Sequence, residues 1–338
     1  MGDPPGPTSG SGMLSGFVAP MLPTAGPIPA GAGWAFEIKF DGVRATSRAG
    51  SGRLRLFSRN ARDITASYPE IGSAQLEDDL VLDGELVALD EHGRPDFGLL
   101  QHRMGVTRPT AALLERVPVQ YVVFDVLGRG DVSLIGLPYT ERRAILADLG
   151  LERPGLRVPA NFTGTAGELV LAAADQQGLE GVVAKRMTST YQPGRRSRAW
   201  IKTAIRHTAE VVIAGWYPAT GAQHVLGSLL LAAHGEDGRL VHVGDVGTGF
   251  TDATRRALLA ELAPLARDDP PFTGPFTMVR GWRGRSPRRG GIRWVEPRLV
   301  GEIEYRAFGR DGAFRHPSWR GLRPDRDPSE VQRPAPDH

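Results

Sequence analysis

The segment Glu37-Ile38-Lys39-Phe40-Asp41-Gly42-Val43-Arg44 places an amine, a carboxylate and a guanidinium within a few residues of one another. A lysine becomes a useful nucleophile when its pKa is depressed and its electrophile is held in line with it. Neighbouring cations supply the first condition, and a strand ending at a turn presents the amine at a cleft. Arg44 suits a phosphate or a ribose hydroxyl, and Asp41 suits a metal or the orienting of the lysine. The bland alternative is a hairpin, in which a strand ends at Phe40, an Asp-Gly turn follows, and the charges are solvated. Taken alone, the segment supports either account.

Side chains of this kind need strands to position them. Short runs rich in Val, Leu and Phe, bounded by Gly, Asp or Pro, read as strands at Trp34 to Phe40, Arg53 to Phe57, Leu80 to Leu89 and Gln120 to Leu127. Two more follow at Gly181–Lys185 and Ala199–Lys202, and helical patterns lie at about Ala66–Asp78, Tyr139–Leu149 and Ala166–Gln177. Strands outnumber helices without regular alternation, which predicts an α+β domain with largely antiparallel sheets. A second pattern starts near Glu210, with strand-like runs at Val211–Tyr217, Ser228–Ala233, Leu240–Val246 and Leu299–Phe308. One helix interrupts them at about Asp252–Leu265, capped by Thr251 or Asp252. Such a set suits a small barrel of the oligonucleotide-binding type. The expected division is a flexible Gly/Pro/Ser leader over 1–17, a first domain over 18–206, a barrel domain over 207–330 and a tail over 331–338.

Lys-x-Asp-Gly-x-Arg resembles the signature of the covalent nucleotidyltransferases, which comprise DNA ligases, RNA ligases and mRNA capping enzymes. Companion elements follow in the family's order. Ser58-Arg59-Asn60, with Asp63, looks like the element whose arginine helps bind the nucleotide and the nick phosphate. Asp83-Gly84-Glu85 looks like the element whose acid contacts the ribose and assists a metal, and Tyr121 to Asp125 like the strand whose aromatic, here Phe124, stacks on adenine. Glu180-Gly-Val-Val-Ala-Lys185 looks like the element whose glutamate binds the catalytic metal, and Trp200-Ile-Lys202 like the one whose lysine contacts the α-phosphate. Arg315-His-Pro-Ser-Trp-Arg-Gly-Leu-Arg323-Pro-Asp325-Arg326 looks like the last, on the barrel domain. Singly, most have an ordinary explanation: a turn at Asp83 to Glu85, a core ring at Phe124, an exposed strand end at Lys185. Seven in order, over residues 18–330, share no ordinary explanation.

The resemblance implies an ATP-dependent DNA ligase, an adenylation domain of antiparallel sheets followed by an OB-fold domain, sealing nicks through a lysyl-AMP and a DNA-adenylate. It implies Lys39 as nucleophile, Mg²⁺ (or Mn²⁺) on Glu85 and Glu180, and ATP contacts from Glu37, Arg44, Arg59, Glu85, Phe124, Arg196, Lys202, Arg323 and Arg326. Glu37 takes the place of the family's adenine-contacting glutamate, and Asp41 and Lys185 support the site. The phrases at Glu180–Lys185, Gly247–Phe250 and His316–Leu322 most resemble bacterial ligase modules of double-strand-break repair. A monomer in the bacterial cytoplasm, at the nucleoid, is expected to act on nicked duplex beside a repair polymerase or a DNA end-binding protein. The alternatives are an RNA ligase or capping-type enzyme, or a degenerate ligase that holds nicked DNA without sealing it.

Composition narrows this further. The chain has 338 residues, a hydrophobic share of 41%, a net charge of +3 and no cysteine, which removes disulfides and thiolate zinc sites. Absence of that zinc chemistry argues against the NAD⁺-dependent relatives. No apolar run is long enough to span a membrane. Arg283, Arg285, Arg288 and Arg289 lie in an acid-free, glycine-spaced stretch from Arg280 to Arg293, suited to DNA phosphates. Two departures stand out. Ala204 occupies the position of a second lysine in the Lys-x-Lys element, with Arg206 as a substitute, and only about 20 residues precede the first ordered element, where larger ligases carry a DNA-binding domain.

Overall fold

The strand runs build two sheet systems, one in each half of the chain. The computed structural model describes residues 17–50, 52–219, 221–272, 291–309 and 312–335. It divides into two compact units, Met1–Ile205 and Arg206–His338. The candidate DNA-contacting arginines Arg283, Arg285, Arg288 and Arg289 lie outside the described residues.

In the first unit the elements run β1 (Leu22–Ala25), β2 (Trp34–Ile38), β3 (Val43–Gly50), β4 (Arg53–Ser58), α1 (Pro69–Gly72), β5 (Leu80–Ala88), α2 (Phe97–Gln101), α3 (Ala111–Arg116), β6 (Val119–Arg129) and β7 (Val132–Ser133). They continue with α4 (Tyr139–Asp148), β8 (Leu156–Arg157), β9 (Asn161–Thr163), α5 (Gly167–Gln176), β10 (Gly181–Arg186) and β11 (Arg196–Ala204). One sheet has the order β1-β11-β10-β2-β9, and the other β4-β3-β5-β6-β7 with β8 added to β6. Pairing is antiparallel except at β1–β11 and β6–β8.

The helix expected over Ala66–Asp78 is instead a 3₁₀ turn at Thr65–Ser67 and the four-residue α1. Pro69 has no amide to donate and is tolerated only in a first turn, so the helix starts there and cannot extend back through it. Two short helices that the pattern does not reveal, α2 and α3, have side-chain caps: Asp96 accepts from the Leu99 amide at 3.0 Å and Thr110 from the Leu113 amide at 3.3 Å.

Alternation assigns each face. On β2 and β10, Trp34, Phe36, Val182 and Ala184 pack with Val170 and Ala174 of α5. On β3 to β6, Ala45, Ala49, Leu54, Leu56, Leu82 and Leu86 enter the main core with Ile71, Leu100 and Leu146 of the helices. Each sheet therefore keeps its other face for the residues of interest. Where those faces approach, Val81 and Phe124 of one sheet pack with Trp200 of the other and with Met21 and Tyr191.

The second unit comprises β12 (His207–Ala219), β13 (Ala222–His234), β14 (Leu240–Val246), α6 (Asp252–Leu262), β15 (Ala266–Arg267), β16 (Arg293–Val295), β17 (Val300–Tyr305), β18 (Ala307–Phe308), β19 (Phe314–Arg315) and β20 (Ser318–Leu322). The long β12 pairs with β13 on one side; on the other, its first part pairs with β17 and its later part with β16. Register shifts along β12–β13 bend the pair, and the sheet curls around Val211, Ile213, Leu229, Leu231 and Ile303, with Leu258 and Leu262 of α6 against them. Thr251 is the cap of α6, accepting from the Thr254 amide at 3.1 Å.

Candidate active site

The motif around Lys39 is not a hairpin, because β2 and β3 belong to different sheets and the loop between them carries Lys39, Asp41 and Gly42 from one to the other. Gly42 is required by closeness rather than by a left-handed turn. A Cβ there would fall 2.8 Å from Glu85 Cγ, 2.9 Å from Val87 Cγ1 and nearer still to the Leu86 carbonyl. The glycine thus lets the motif pass directly over β5, where Glu85 stands.

The first sheet contributes a stripe of charge. The Lys39 amide donates to the Gly181 carbonyl at 2.9 Å, which fixes the end of β2 beside the start of β10. The Lys39 ammonium there forms an ion pair with Glu180. One row along, Glu37, Val183 and Lys202 are cross-strand neighbours; the next row on the same face holds Lys185 opposite Trp200. Burial, then the charges of Lys39 and Arg196, pull the Lys202 pKa below its usual value. Cations have been gathered where their mutual repulsion favours an anionic ligand.

The second sheet contributes Arg44, Asp83, Glu85 and Phe124. Arg44 is opposite Glu85 in the register, and its guanidinium grips Asp83 through two hydrogen bonds of 2.6 Å. Tyr191 donates to the same carboxylate at 2.6 Å. Arg44 is therefore braced as well as available to a ribose or phosphate. Its guanidinium lies 4.5 Å from the Phe124 ring centre, and Lys185 Nζ is equally close to that centre. Phe124 thus packs against two cations and against Trp200, with an edge-to-face ring separation of 6.5 Å.

Glu37 and Lys185 differ most from their bland readings. Glu37 is 3% exposed and Lys185 is 2% exposed. Lys185 Nζ is 2.7 Å from Glu37 Oε2, and the Tyr139 hydroxyl donates to Glu37 Oε1 at 2.5 Å. Sequence reasoning misses Tyr139, since nothing in α4 marks it apart from a core ring. A signal does exist for Lys185. The chain has three lysines, Lys39, Lys185 and Lys202, among 41 basic residues, and all three lie in this one site. Arginine serves wherever a charge suffices, and lysine remains where a compact or deprotonable amine is needed.

The remaining assignments are more peripheral. Arg59 is exposed just after β4, and Arg196 donates to the Pro23 carbonyl at 2.6 Å. Asp41 is half-buried in the loop between the sheets. Arg206 faces Glu304 of its own unit at 3.7 Å. In the second unit Arg323 pairs with Glu302 at 2.8 Å, Asp325 at 2.9 Å and Glu210 at 3.3 Å, while Arg326 pairs with Glu210 at 2.7 Å.

No cluster of three or more metal-ligating residues exists among the described residues. A magnesium site needs none, because Mg²⁺ is characteristically held by one or two carboxylates together with substrate phosphates. Glu85 and Glu180 fit that demand. Burial pushes the Glu85 carboxyl up to about 8; Arg44 and Lys39 oppose the shift, and Asp83 and Glu180 add to it. The influence of Lys39 and Glu180 places all three groups in one neighbourhood, open to a divalent cation that arrives with a nucleotide.

Comparison with known proteins gives a consistent result. Residues 28–203 match the family model for the ATP dependent DNA ligase domain, and residues 222–326 match the ATP dependent DNA ligase C terminal region. The multifunctional non-homologous end joining protein LigD of Mycolicibacterium smegmatis is 42% identical over 319 residues, covering 93% of this chain and 39% of the relative. DNA ligase C of Mycobacterium tuberculosis is 34% identical over 332 residues, covering 88% of this chain and 89% of that protein. A solved structure described as mycobacterial DNA ligase D complexed with ATP and MES is 39% identical, with a TM-score of 0.51 over 94% of this chain and 98% of that one. The chain spans about two-fifths of the length of the end-joining relatives it matches.

Proposed function

The chain belongs to the ATP-dependent DNA ligases, with an adenylation domain followed by an OB-fold-type domain, and we propose that it seals 5′-phosphate/3′-hydroxyl nicks through covalent adenylation of Lys39. The observation that carries this reading is the gathering of the chain's three lysines around Glu37, Glu180 and Glu85.

Lys39 Nζ attacks the α-phosphorus of ATP. An N–P bond forms, the bond to pyrophosphate breaks, and the proton lost by the amine passes to solvent, to which the Lys39 side chain is partly open. Phosphoryl transfer depends mainly on alignment and on neutralising charge at the phosphorus. Lys202, beside Lys39, neutralises the α-phosphate, and Arg59 and Arg196 add positive field. Arg44, braced by Asp83, meets the ribose side, and Glu37 accepts from the exocyclic amino group of adenine. Glu85 and Glu180 would hold Mg²⁺ together with the phosphates, and the ion would supply further neutralisation of the triphosphate. AMP then passes to the 5′-phosphate at the nick, and attack by the 3′-hydroxyl expels it. Arg323 and Arg326 act on the leaving pyrophosphate.

The 93% coverage by an end-joining relative supports a role in double-strand-break repair at the nucleoid, beside a polymerase or end-binding activity carried elsewhere. No described helix is long and apolar enough to cross a membrane. Intact Lys39, Glu180 and Lys202 count against a degenerate ligase. The test is incubation with α-labelled ATP or GTP and Mg²⁺, denaturing electrophoresis, then addition of nicked DNA. The reading requires label from ATP, held through Lys39 and discharged into sealed product. Label from GTP alone indicates capping chemistry.

A further inference from the structure

The outer end of the β3–β4 hairpin gathers three arginines, Arg48, Arg53 and Arg55, on one side of the sheet. Arg48 stands directly opposite Arg55, and Arg53 lies one row further out, opposite Gly50. Like charges facing each other across an antiparallel pair destabilise it. Ala49, Leu54 and Leu56, which alternate with them, are buried in the core, so the three arginines share the other face with Thr46 and Phe57. The register continues inward along that side of the sheet, with Arg48 beside Val81, Thr46 beside Asp83 and Arg44 beside Glu85, while Phe17 packs on Phe57 and Thr46 is buried between the two ends. The arginines therefore extend the face that holds the nucleotide-site residues. Four residue steps along the strand separate Arg44 from Arg48, about 13 Å at ~3.3 Å per residue.

A groove of about 620 Å³ opens at this end, with Arg48, Arg53 and Arg55 in its wall and Asp63 and Asp79 beside them. Asp63 accepts from Arg55 at 2.8 and 3.3 Å, and both side chains are well exposed. Such a pair contributes little in water and gives way readily to a stronger anion. The Arg55 guanidinium also lies over the Phe57 ring at 5.2 Å, which restrains it without consuming its outward hydrogen-bond donors.

We propose that Arg48, Arg53 and Arg55 form a track for the phosphate backbone of the duplex flanking the nick. Guanidinium forks match phosphate geometry, and a row of them on a strand reads charge rather than sequence. Duplex rises ~3.4 Å per base pair, so a spacing of about 13 Å puts the contacted phosphates roughly four base pairs from the reacting phosphate. The proposal rests on the ligase reading above and adds a surface in the adenylation domain to the arginine stretch of the other unit.

The experiment measures affinity for a nicked duplex with a 5′-phosphate and a 3′-dideoxy end, which blocks sealing, across a salt series. The proteins are wild type, the triple variant R48Q/R53Q/R55Q, and R53Q/R55Q, which spares half-buried Arg48 in case the triple variant folds poorly. The slope of log affinity against log salt should fall by ~0.9 for each phosphate no longer neutralised, about 1.8 for the double variant and about 2.7 for the triple. Lysyl-AMP formation without DNA should not change. Shortening one flank of the duplex below about four base pairs should bring wild type and variants together. An unchanged slope in variants, beside a wild type that binds and seals, overturns the proposal. So does parallel loss of lysyl-AMP formation in folded variants, which would assign the arginines to the nucleotide. A wild type that takes no label from ATP overturns the ligase reading, and this surface with it.

Discussion

Lys185 and Glu37 form an ion pair of 2.7 Å in which neither side chain has appreciable contact with water. Around it stand Trp200 and Phe124, their ring centres 4.4 and 4.5 Å from Lys185 Nζ, and Tyr139, whose hydroxyl donates to the second oxygen of Glu37. Burial lowers the Lys185 pKa, with the charge of Glu37 opposing it, and burial followed by Glu37 holds the Tyr139 phenol well above its ordinary value. The Glu37 side chain is thus held at both oxygens before any ligand arrives, and preorganisation of this kind removes an ordering cost from binding.

Removing one partner of such a pair strands the other. Lys185→Met should cost roughly 3–5 kcal/mol of unfolding free energy, because Glu37 stays buried without its counter-charge. Lys185→Met with Glu37→Gln should recover much of that loss, since a neutral pair carries no comparable desolvation penalty. Urea unfolding of the nucleotide-free proteins measures both. A double variant no more stable than the single one would show that the pair contributes nothing as a pair.

Tyr139→Phe keeps the ring and removes one hydrogen bond to a charged acceptor, an interaction of roughly 1.5–3 kcal/mol. If that bond aims Glu37 at the exocyclic amino group, the variant should discriminate less between ATP and purine riboside triphosphate, which lacks the group. The preference, measured as the ratio of lysyl-nucleotide formation rates at subsaturating nucleotide, should shrink by about tenfold, while the rate with the analogue stays level. Equal losses with both nucleotides would reduce Tyr139 to a packing residue.

The chemistry of the site was legible in the sequence; its bracing was not. Lys39, Arg44, Glu85, Glu180 and Lys202 are recognisable because their types and order match the family's motifs, whatever their surroundings. The partnerships of Arg44 with Asp83 and of Glu37 with Tyr139 span 39 and 102 residues, and only the register of two sheets brings them together. The same register explains why Lys185, which reads as an exposed strand end, is enclosed: it faces Trp200 of the neighbouring strand and lies beneath the opposite sheet. Most strands of the core were visible as apolar runs. Edges were not, because the ends of β11 and β12 are polar residues held by pairing rather than by burial.

Gly42→Ala tests whether the motif glycine serves approach rather than turning. A methyl group there must displace Glu85, Val87 or the backbone of β5, each within the motif's immediate reach. Overpacking of this kind costs about 1–3 kcal/mol, and here it also moves the carboxylate proposed to hold Mg²⁺. The expected result is a folded protein with lysyl-AMP formation reduced at least tenfold and a raised Mg²⁺ requirement. Unimpaired adenylation would mean that the loop between β2 and β3 yields without moving Glu85.

Lys39→Arg separates charge from nucleophilicity. Arginine can keep the ion pair with Glu180, and a guanidinium does not deprotonate to attack phosphorus. Covalent labelling from ATP should vanish, while thermal stability and ATP binding stay near those of the wild type. Sealing of a pre-adenylated nick, which bypasses the lysyl-AMP, should survive in part. Covalent label on the variant would move the nucleophile to another residue.

Ala204→Lys asks what the missing second cation is worth. Ala204 lies two residues beyond Lys202 on the same face of β11, opposite Gly181, whose backbone it approaches so closely that a Cβ on the glycine would fall 2.9 Å from Ala204 Cα. A lysine introduced there joins Lys39, Lys202, Arg59 and Arg196 in a field that already depresses the Lys202 pKa. In the empty protein the added repulsion should lower stability by a few tenths of a kcal/mol to about 1 kcal/mol, the scale of a partly exposed charge pair. With a triphosphate bound the sign reverses, because the new ammonium supplies a charge-assisted contact. The two measurements together are diagnostic. A lower melting temperature without ATP and a KM for ATP reduced by roughly threefold to tenfold would mean that the chain accepts weaker nucleotide binding at Ala204 in return for a more stable empty site. A lower melting temperature with no gain in KM would mean that Lys202 and Arg196 already saturate the phosphate.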